Sequence, residues 1–303
     1  MKEALWKHEY VDVNNIRMHY VTQGKGPLML MIHGFPEFWY SWRHQIPEMA
    51  KRFKVVAPDM RGYNQTEKPV GVGQYRLDVL TADVAGLIKA LGYDKAVVVA
   101  HDWGGVVAWA FAMAYPEMVD RLIIMNCPPS QVLIEHLMKN PKQLRRSYYM
   151  FLFQIPLLPE AVFRFNNYMM IEKAFRGWAI DKSAFSDEDI KMLKEAAAKP
   201  GALTASVNYY RAALRNLKMG FAAMKAARTG VIHDKVKSPT LVIWAEGDVA
   251  LGKEMTYDFH KVMDAPLEIR YIPDCSHWVQ QERPEEVNRF MQEWLAGYPE
   301  KTA

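Results

Sequence analysis

The sequence predicts an α/β fold: a doubly wound, mostly parallel sheet covered by helices, with a helical lid inserted into it. Three observations carry this. Six short runs, at residues 28–32, 54–57, 96–100, 122–125, 240–245 and 267–272, are apolar and β-rich, several of them continuously, as strands covered on both faces are. Helix-like stretches follow at 77–91, 105–115, 253–263 and 285–296, and strand alternating with helix argues a parallel sheet. Between 130 and 234 the alternation stops: no convincing strand appears, and Met, Phe, Tyr and Arg recur at helix-like spacing.

Taken in order, the chain opens with runs at 10–13 and 16–21 flanking Asn14 and Asn15, a two-residue hairpin signal in which both residues tolerate positive φ. The parallel-type strands and their helices follow. The helix at 285–296 opens after Pro284, a favourable first-turn position. Within the insertion, Lys199-Pro200-Gly201 marks an internal break. The expected organisation is therefore a first core part over 1–129, a cap or lid over 130–234 and a second core part over 235–303. Aromatic and Met-rich helical stripes more often pack a core than line a ligand site, and a lid must do both.

The chain has 303 residues, half of them hydrophobic, and a net charge of +4 with acids and bases interspersed. That is length enough to bury a large core. No Lys/Arg-rich block argues for a nucleic-acid partner. The amino-terminal residues are charged where a signal peptide needs an apolar stretch, and no run approaches the roughly 18 apolar residues of a membrane span. Cys127 and Cys275 show neither a disulfide framework nor a metal-type cluster. Free buried thiols and a cytoplasmic location are expected. Gly71-Val-Gly73 lies outside any strand-to-helix turn, so no phosphate-binding loop and no cofactor are expected.

The chemistry is concentrated just past predicted strands. The pentapeptide AHDWG at 100–104 sits where a strand-to-helix turn would hold a serine nucleophile, but its central residue is Asp102. Asp248 follows the run 240–245 and His277 follows 267–272. Functional groups in such sheets gather at the carboxyl ends of the strands. Singly, each residue has a plainer explanation: Asp102 as a helix N-cap, Asp248 as a turn cap, His277 as a satisfied buried histidine. Together, in the order nucleophile, acid, histidine, they form a triad sequence. The segment HGFP at 33–36 follows the first parallel-type strand, where an oxyanion-hole N–H is expected from Phe35, the other coming from Trp103. For His33 itself a structural hydrogen bond is favoured. A carboxylate attacking an sp³ carbon makes an alkyl ester whose carbonyl belongs to the enzyme. Asp102 thus points to alkyl transfer, with water activated by His277, oriented by Asp248, hydrolysing the ester.

These residues, namely HGFPE at 33–37, DMRGY at 59–63, HDWGG at 101–105, WAEGD at 244–248 and HWVQQERP at 277–284, resemble the α/β-hydrolase-fold epoxide hydrolases over nearly the whole chain. Asn64 stands where the family often has Gly, and Asn tolerates the left-handed geometry next best. The resemblance implies a small apolar epoxide and water as substrates, a vicinal diol as product, and two lid tyrosines as acids. By position these are Tyr149, with Tyr148 as competitor, and Tyr210, with Tyr209 as competitor. It also implies a substrate pocket including Phe35, Trp39 and Trp103, and a monomer or homodimer. Haloalkane dehalogenases share the fold and the Asp nucleophile and form the alternative, with Trp178 available as a halide donor. A non-catalytic receptor of the same fold is a third reading, although no triad member is missing.

Overall fold

A computed structural model describes residues 6–215 and 235–297. Eight strands form one sheet: β1 (Lys7–Val13), β2 (Ile16–Gln23), β3 (Leu28–Ile32), β4 (Lys54–Pro58), β5 (Ala96–His101), β6 (Val119–Met125), β7 (Thr240–Ala245) and β8 (Leu267–Ile272). Their spatial order is β1-β2-β4-β3-β5-β6-β7-β8. The pairs β1·β2 and β2·β4 are antiparallel and the rest parallel. Asn14 and Asn15 make the first hairpin with φ of 45° and 60°, the double left-handed turn that matches the twist of the flanking strands. Every residue of β3, β5 and β7 is buried, which is why these runs read as continuously apolar.

The helices follow the same logic: α1 (Ile46–Met49), α2 (Leu77–Ala90) and α3 (Trp103–Ala114) precede the insertion. Between β6 and β7 the described residues hold only helices: α4 (Ser130–Lys139), α5 (Pro141–Arg146), α6 (Tyr148–Leu152), α7 (Leu158–Trp178), α8 (Asp187–Ala198) and α9 (Ala202–Arg215), with a short 3₁₀ turn at Lys182–Ala184. The Lys-Pro-Gly break separates α8 from α9, with Gly201 at φ 81°. Helix α7 is interrupted at Phe165–Tyr168, where Asn166, Asn167 and Tyr168 are left-handed. Residues 216–234 of the expected lid lie outside the described residues. After β8 come α10 (Val279–Glu282) and α11 (Pro284–Trp294).

The stretch expected as a helix at 253–263 is a 3₁₀ helix over Lys253–Val262, burying Met255, Phe259 and Val262. Spacings of four and three fit both helical pitches, so periodicity does not separate them. No helix among the described residues is long and apolar enough to cross a membrane.

Candidate active site

Strand β5 ends at His101 and α3 begins at Trp103, leaving Asp102 alone in the turn with φ 49° and ψ −123°. That conformation is outside the regions open to ordinary side chains and costs about 1–3 kcal/mol. The turn closes against β3 because two neighbours lack a side chain. A Cβ on Gly34 would lie 2.4 Å from Asp102 Cβ, and one on Gly104 would lie 2.3 Å from the Ile32 carbonyl oxygen. Asp102 occupies the N-cap position of α3, yet its side chain makes no capping hydrogen bond. Its two oxygens are divided instead: Oδ1 accepts the Phe35 N–H at 2.7 Å, and Oδ2 lies 3.3 Å from His277 Nε2. The N–H of Trp103 belongs to the first turn of α3, whose amides have no intrahelical acceptor.

The opposite ring nitrogen of His277 faces Asp248, with Nδ1 2.7 Å from Oδ2. Asp248 is itself fixed on both oxygens. Oδ1 accepts the Ala250 and Leu251 N–H groups at 2.8 and 3.0 Å, and Oδ2 accepts Asn126 Nδ2 at 2.8 Å. The turn-capping explanation and the triad explanation thus both describe this residue, one for each oxygen. The His277 backbone is held from below: its carbonyl accepts His101 Nε2 at 2.8 Å, and His101 Nδ1 in turn meets Glu37 Oε2 at 2.8 Å. His33 makes the structural bonds expected of it, Nε2 accepting the Met60 N–H at 3.0 Å while Nδ1 meets the Gly34 carbonyl at 2.8 Å.

Burial alone would lower the His277 pKa, but the carboxylates of Asp248 and Asp102 raise it well above the ordinary imidazole value. Burial would raise the Asp102 pKa, and the His277 ring, with help from the Phe35 N–H, holds it below the ordinary carboxylate range. The two carboxylates thus favour the protonated imidazole.

Above these groups is a cavity of about 420 Å³ lined by Phe35, Asp102, His277 and helices of the insertion. Both expected tyrosines reach it. Tyr149 and Tyr210 line the cavity with their rings 5.9 Å apart. Their competitors are otherwise engaged: Tyr209 is fully buried and donates to the Arg61 carbonyl at 2.7 Å, while Tyr148 stands 63 % exposed at the mouth. Burial first, and then the Asp102 carboxylate among its neighbours, raises both Tyr149 and Tyr210 above the ordinary tyrosine range. Their hydroxyls hold their protons.

Two expected pocket residues are elsewhere. Trp39 packs against Trp6, His8 and Phe38, donates its backbone N–H to Asp59 and is buried, so its ring is taken up by core packing. The Trp103 ring stacks edge-on behind Tyr210 and Tyr209, with centroids at 4.9 and 5.6 Å, and supports the cavity wall without lining it. Trp178 does line the cavity, at 37 % exposure. Sequence reasoning missed Asn126, Glu37 and His101. The signal for Asn126 was its place directly after β6, a polar residue at a strand's carboxyl end. It also missed the apolar wall given by Leu152, Phe153, Val162, Phe163 and Met170. Among the described residues no group of three or more His, Cys, Asp or Glu side chains is arranged to hold a metal ion.

Comparison with known proteins agrees with this geometry. Residues 27–284 match the family described as alpha/beta hydrolase fold. Epoxide hydrolase 1 of Caenorhabditis elegans is 41 % identical over 299 residues, covering 97 % of this chain and 71 % of that protein. Epoxide hydrolase 4 of Homo sapiens is 36 % identical over 300 residues, covering 96 % and 80 %. Among solved structures, the Bacillus megaterium epoxide hydrolase in complex with an inhibitor superposes with a TM-score of 0.84 at 30 % identity, covering 95 % of this chain and all of that one. The fold, the helical insertion and these relatives together place the chain in the epoxide hydrolases of the α/β-hydrolase fold.

Proposed function

We propose that the protein hydrolyses a small apolar epoxide to a vicinal diol through an alkyl ester on Asp102. The cap is read as residues 130–234, and a monomer or homodimer is expected. A cytoplasmic location is supported by Cys127 and Cys275, both buried free thiols. The observation that carries the reading is the pairing of Tyr149 and Tyr210, hydroxyls protonated, in one cavity with Asp102.

In the first step Asp102 Oδ2 attacks an epoxide carbon. The new bond is Oδ2–C, the C–O bond of the ring breaks, and the ring oxygen takes a proton from one tyrosine hydroxyl while the other donates a hydrogen bond. Oδ1 stays on the Phe35 N–H and becomes the ester carbonyl oxygen. Esterification removes the Asp102 charge, one of the two that keep His277 protonated, so the imidazole pKa falls; the ring gives up its proton, through solvent, to the tyrosinate left by ring opening, and becomes a neutral base beside a restored tyrosine hydroxyl. In the second step His277 takes a proton from water, whose oxygen bonds to Asp102 Cγ. The negative charge collects on Oδ1 in the oxyanion hole of Phe35 and Trp103, where each donor is worth roughly 3–4 kcal/mol. Collapse breaks the Cγ–Oδ2 bond and releases the diol with a proton from His277, after which the new Asp102 carboxyl group returns its proton to the ring and restores the resting carboxylate and imidazolium. Asp248 keeps the ring oriented throughout.

Tyr149→Phe and Tyr210→Phe test this directly, because each removes only a hydroxyl. General-acid help is typically worth about 10²- to 10⁴-fold, so each variant should open an aryl epoxide more slowly by a factor in that range and the double variant should nearly lose the activity. Any bromide release from a bromoalkane should survive, since halide departure needs no proton. Parental epoxide opening in both single variants would reduce the tyrosines to packing residues and remove the ground for the reading.

A further inference from the structure

The cap presents an unusual outer face around the cavity mouth. Tyr148, Leu152, Leu158 and Val162 line the cavity and are also 41–63 % exposed. Next to them in the chain, Phe151 is 50 %, Leu157 76 % and Phe165 68 % exposed. Leu158 and Val162 are four apart on α7 and share one side of it, and Phe165 stands where that first stretch of the helix is interrupted. Isolated exposed apolar residues need no explanation, but a cluster continuous with a site mouth does. Leu157 adds an independent oddity: it is a leucine held at φ 64° in front of α7, a left-handed conformation that costs on the order of 1 kcal/mol and that Gly or Asn would adopt freely.

The chain forming this face is mostly basic, with Glu254 offsetting Lys142 and Arg146 in part. Residues 141–170 contain four bases, Lys142, Arg145, Arg146 and Arg164, and one acid, Glu160. That acid is buried and bonded to Arg211 at 2.7 Å. Lys142, Arg145 and Arg164 are exposed. The interspersed charge of the whole sequence hides this local excess. Arg146 and Lys173 line the cavity, whose one acidic lining residue among those described is Asp102, and apolar side chains beside such cations match an anionic lipid surface, whose headgroups attract nearby Lys and Arg while its acyl boundary accepts Phe and Leu. A second copy of the chain fits less well, because a two-fold contact would set the same cations against themselves.

We infer that this cap face docks on anionic lipid bilayers, setting the cavity mouth at the bilayer surface where apolar substrates partition. The docking does not depend on the reaction at Asp102 and is read without turnover. The protein is sedimented with vesicles of phosphatidylcholine mixed with phosphatidylserine and with pure phosphatidylcholine vesicles. Binding should be at least about tenfold stronger to the anionic vesicles and fall as salt is raised, since two or more cations act together. Arg145→Glu with Arg164→Glu should abolish that preference. Leu157→Asn with Phe165→Ser, which replaces no cavity-lining residue and relieves the strained leucine, should weaken binding about tenfold or more through lost insertion, with hydrolysis of a water-soluble epoxide unchanged. Equal sedimentation with both vesicle types would overturn the proposal. So would anionic binding insensitive to both double variants, or a concentration-dependent dimer that Leu157→Asn with Phe165→Ser dissociates.

Discussion

His277 sits between two carboxylates, with Nδ1 2.7 Å from Asp248 and Nε2 3.3 Å from Asp102. Both raise its pKa and so favour the imidazolium, a form that cannot serve as a base. Only the ester, with Asp102 neutral, frees the ring. This makes only the second step sensitive to acid over the middle of the pH range. Alkylation needs Asp102 ionised, and its pKa lies below the ordinary carboxylate value near 3.9. It also needs the tyrosines protonated, and theirs lie above the ordinary value near 10, so alkylation should be flat from about pH 5 to 9. Ester hydrolysis needs His277 neutral, and should slow as pH falls through the imidazole pKa of the alkylated enzyme. Stopped-flow traces should therefore show ester accumulating at about pH 5 and not at about pH 8. A hydrolysis step independent of pH over that range would contradict the assignment of His277 as base.

At the scale of elements, the site depends on how closely β3, β5 and α3 approach. Gly104 allows α3 to start against the β3 carbonyls, and a methyl group there would meet the Ile32 and His33 oxygens at 2.3 and 2.6 Å. Both contacts are backbone and cannot swing aside. Gly104→Ala should lower stability by about 1–3 kcal/mol, the usual cost of overpacking, seen as a lower urea midpoint, and should also displace the Asp102 turn and cut activity. An unchanged midpoint would mean the turn has more room than the geometry allows. Much of this layer was legible in the sequence because its signals are local. Buried strands read as apolar runs, the Asn14–Asn15 hairpin and the Lys-Pro-Gly break as turn chemistry, and the triad as three polar residues just past strands in a fixed order. Trp39 was misplaced because the direction in which a loop throws a side chain is not a local property. Asn126, Glu37 and His101 went unseen for a related reason: each acts through a partner distant in sequence, Asn126 on Asp248 and Glu37 through His101 on the His277 carbonyl.

At the scale of the whole molecule, the cap is tied to the core on both sides of the cavity. On one side Tyr209 donates to the Arg61 carbonyl at 2.7 Å, and Asp189 on α8 takes Tyr40 and Arg43 at 3.0 and 3.1 Å. On the other, Trp278 stacks on Phe175 at 4.1 Å and donates to the Ala174 carbonyl at 3.0 Å. The anchoring residues Tyr209 and Trp278 each adjoin a functional one, Tyr210 and His277, so seating the cap also positions the acid and the base. A cavity closed this way, with the carboxylate at its floor, is built for covalent capture, and the origin of the added oxygen decides whether capture occurs. The decisive measurement is a single turnover in H₂¹⁸O with enzyme in excess over an aryl epoxide. The account predicts unlabelled diol and ¹⁸O in the peptide containing Asp102, because the diol leaves with Oδ2 and the water oxygen stays on Cγ. ¹⁸O in the diol from that first turnover, with an unlabelled Asp102 peptide, would show that water attacks the epoxide directly and would contradict it.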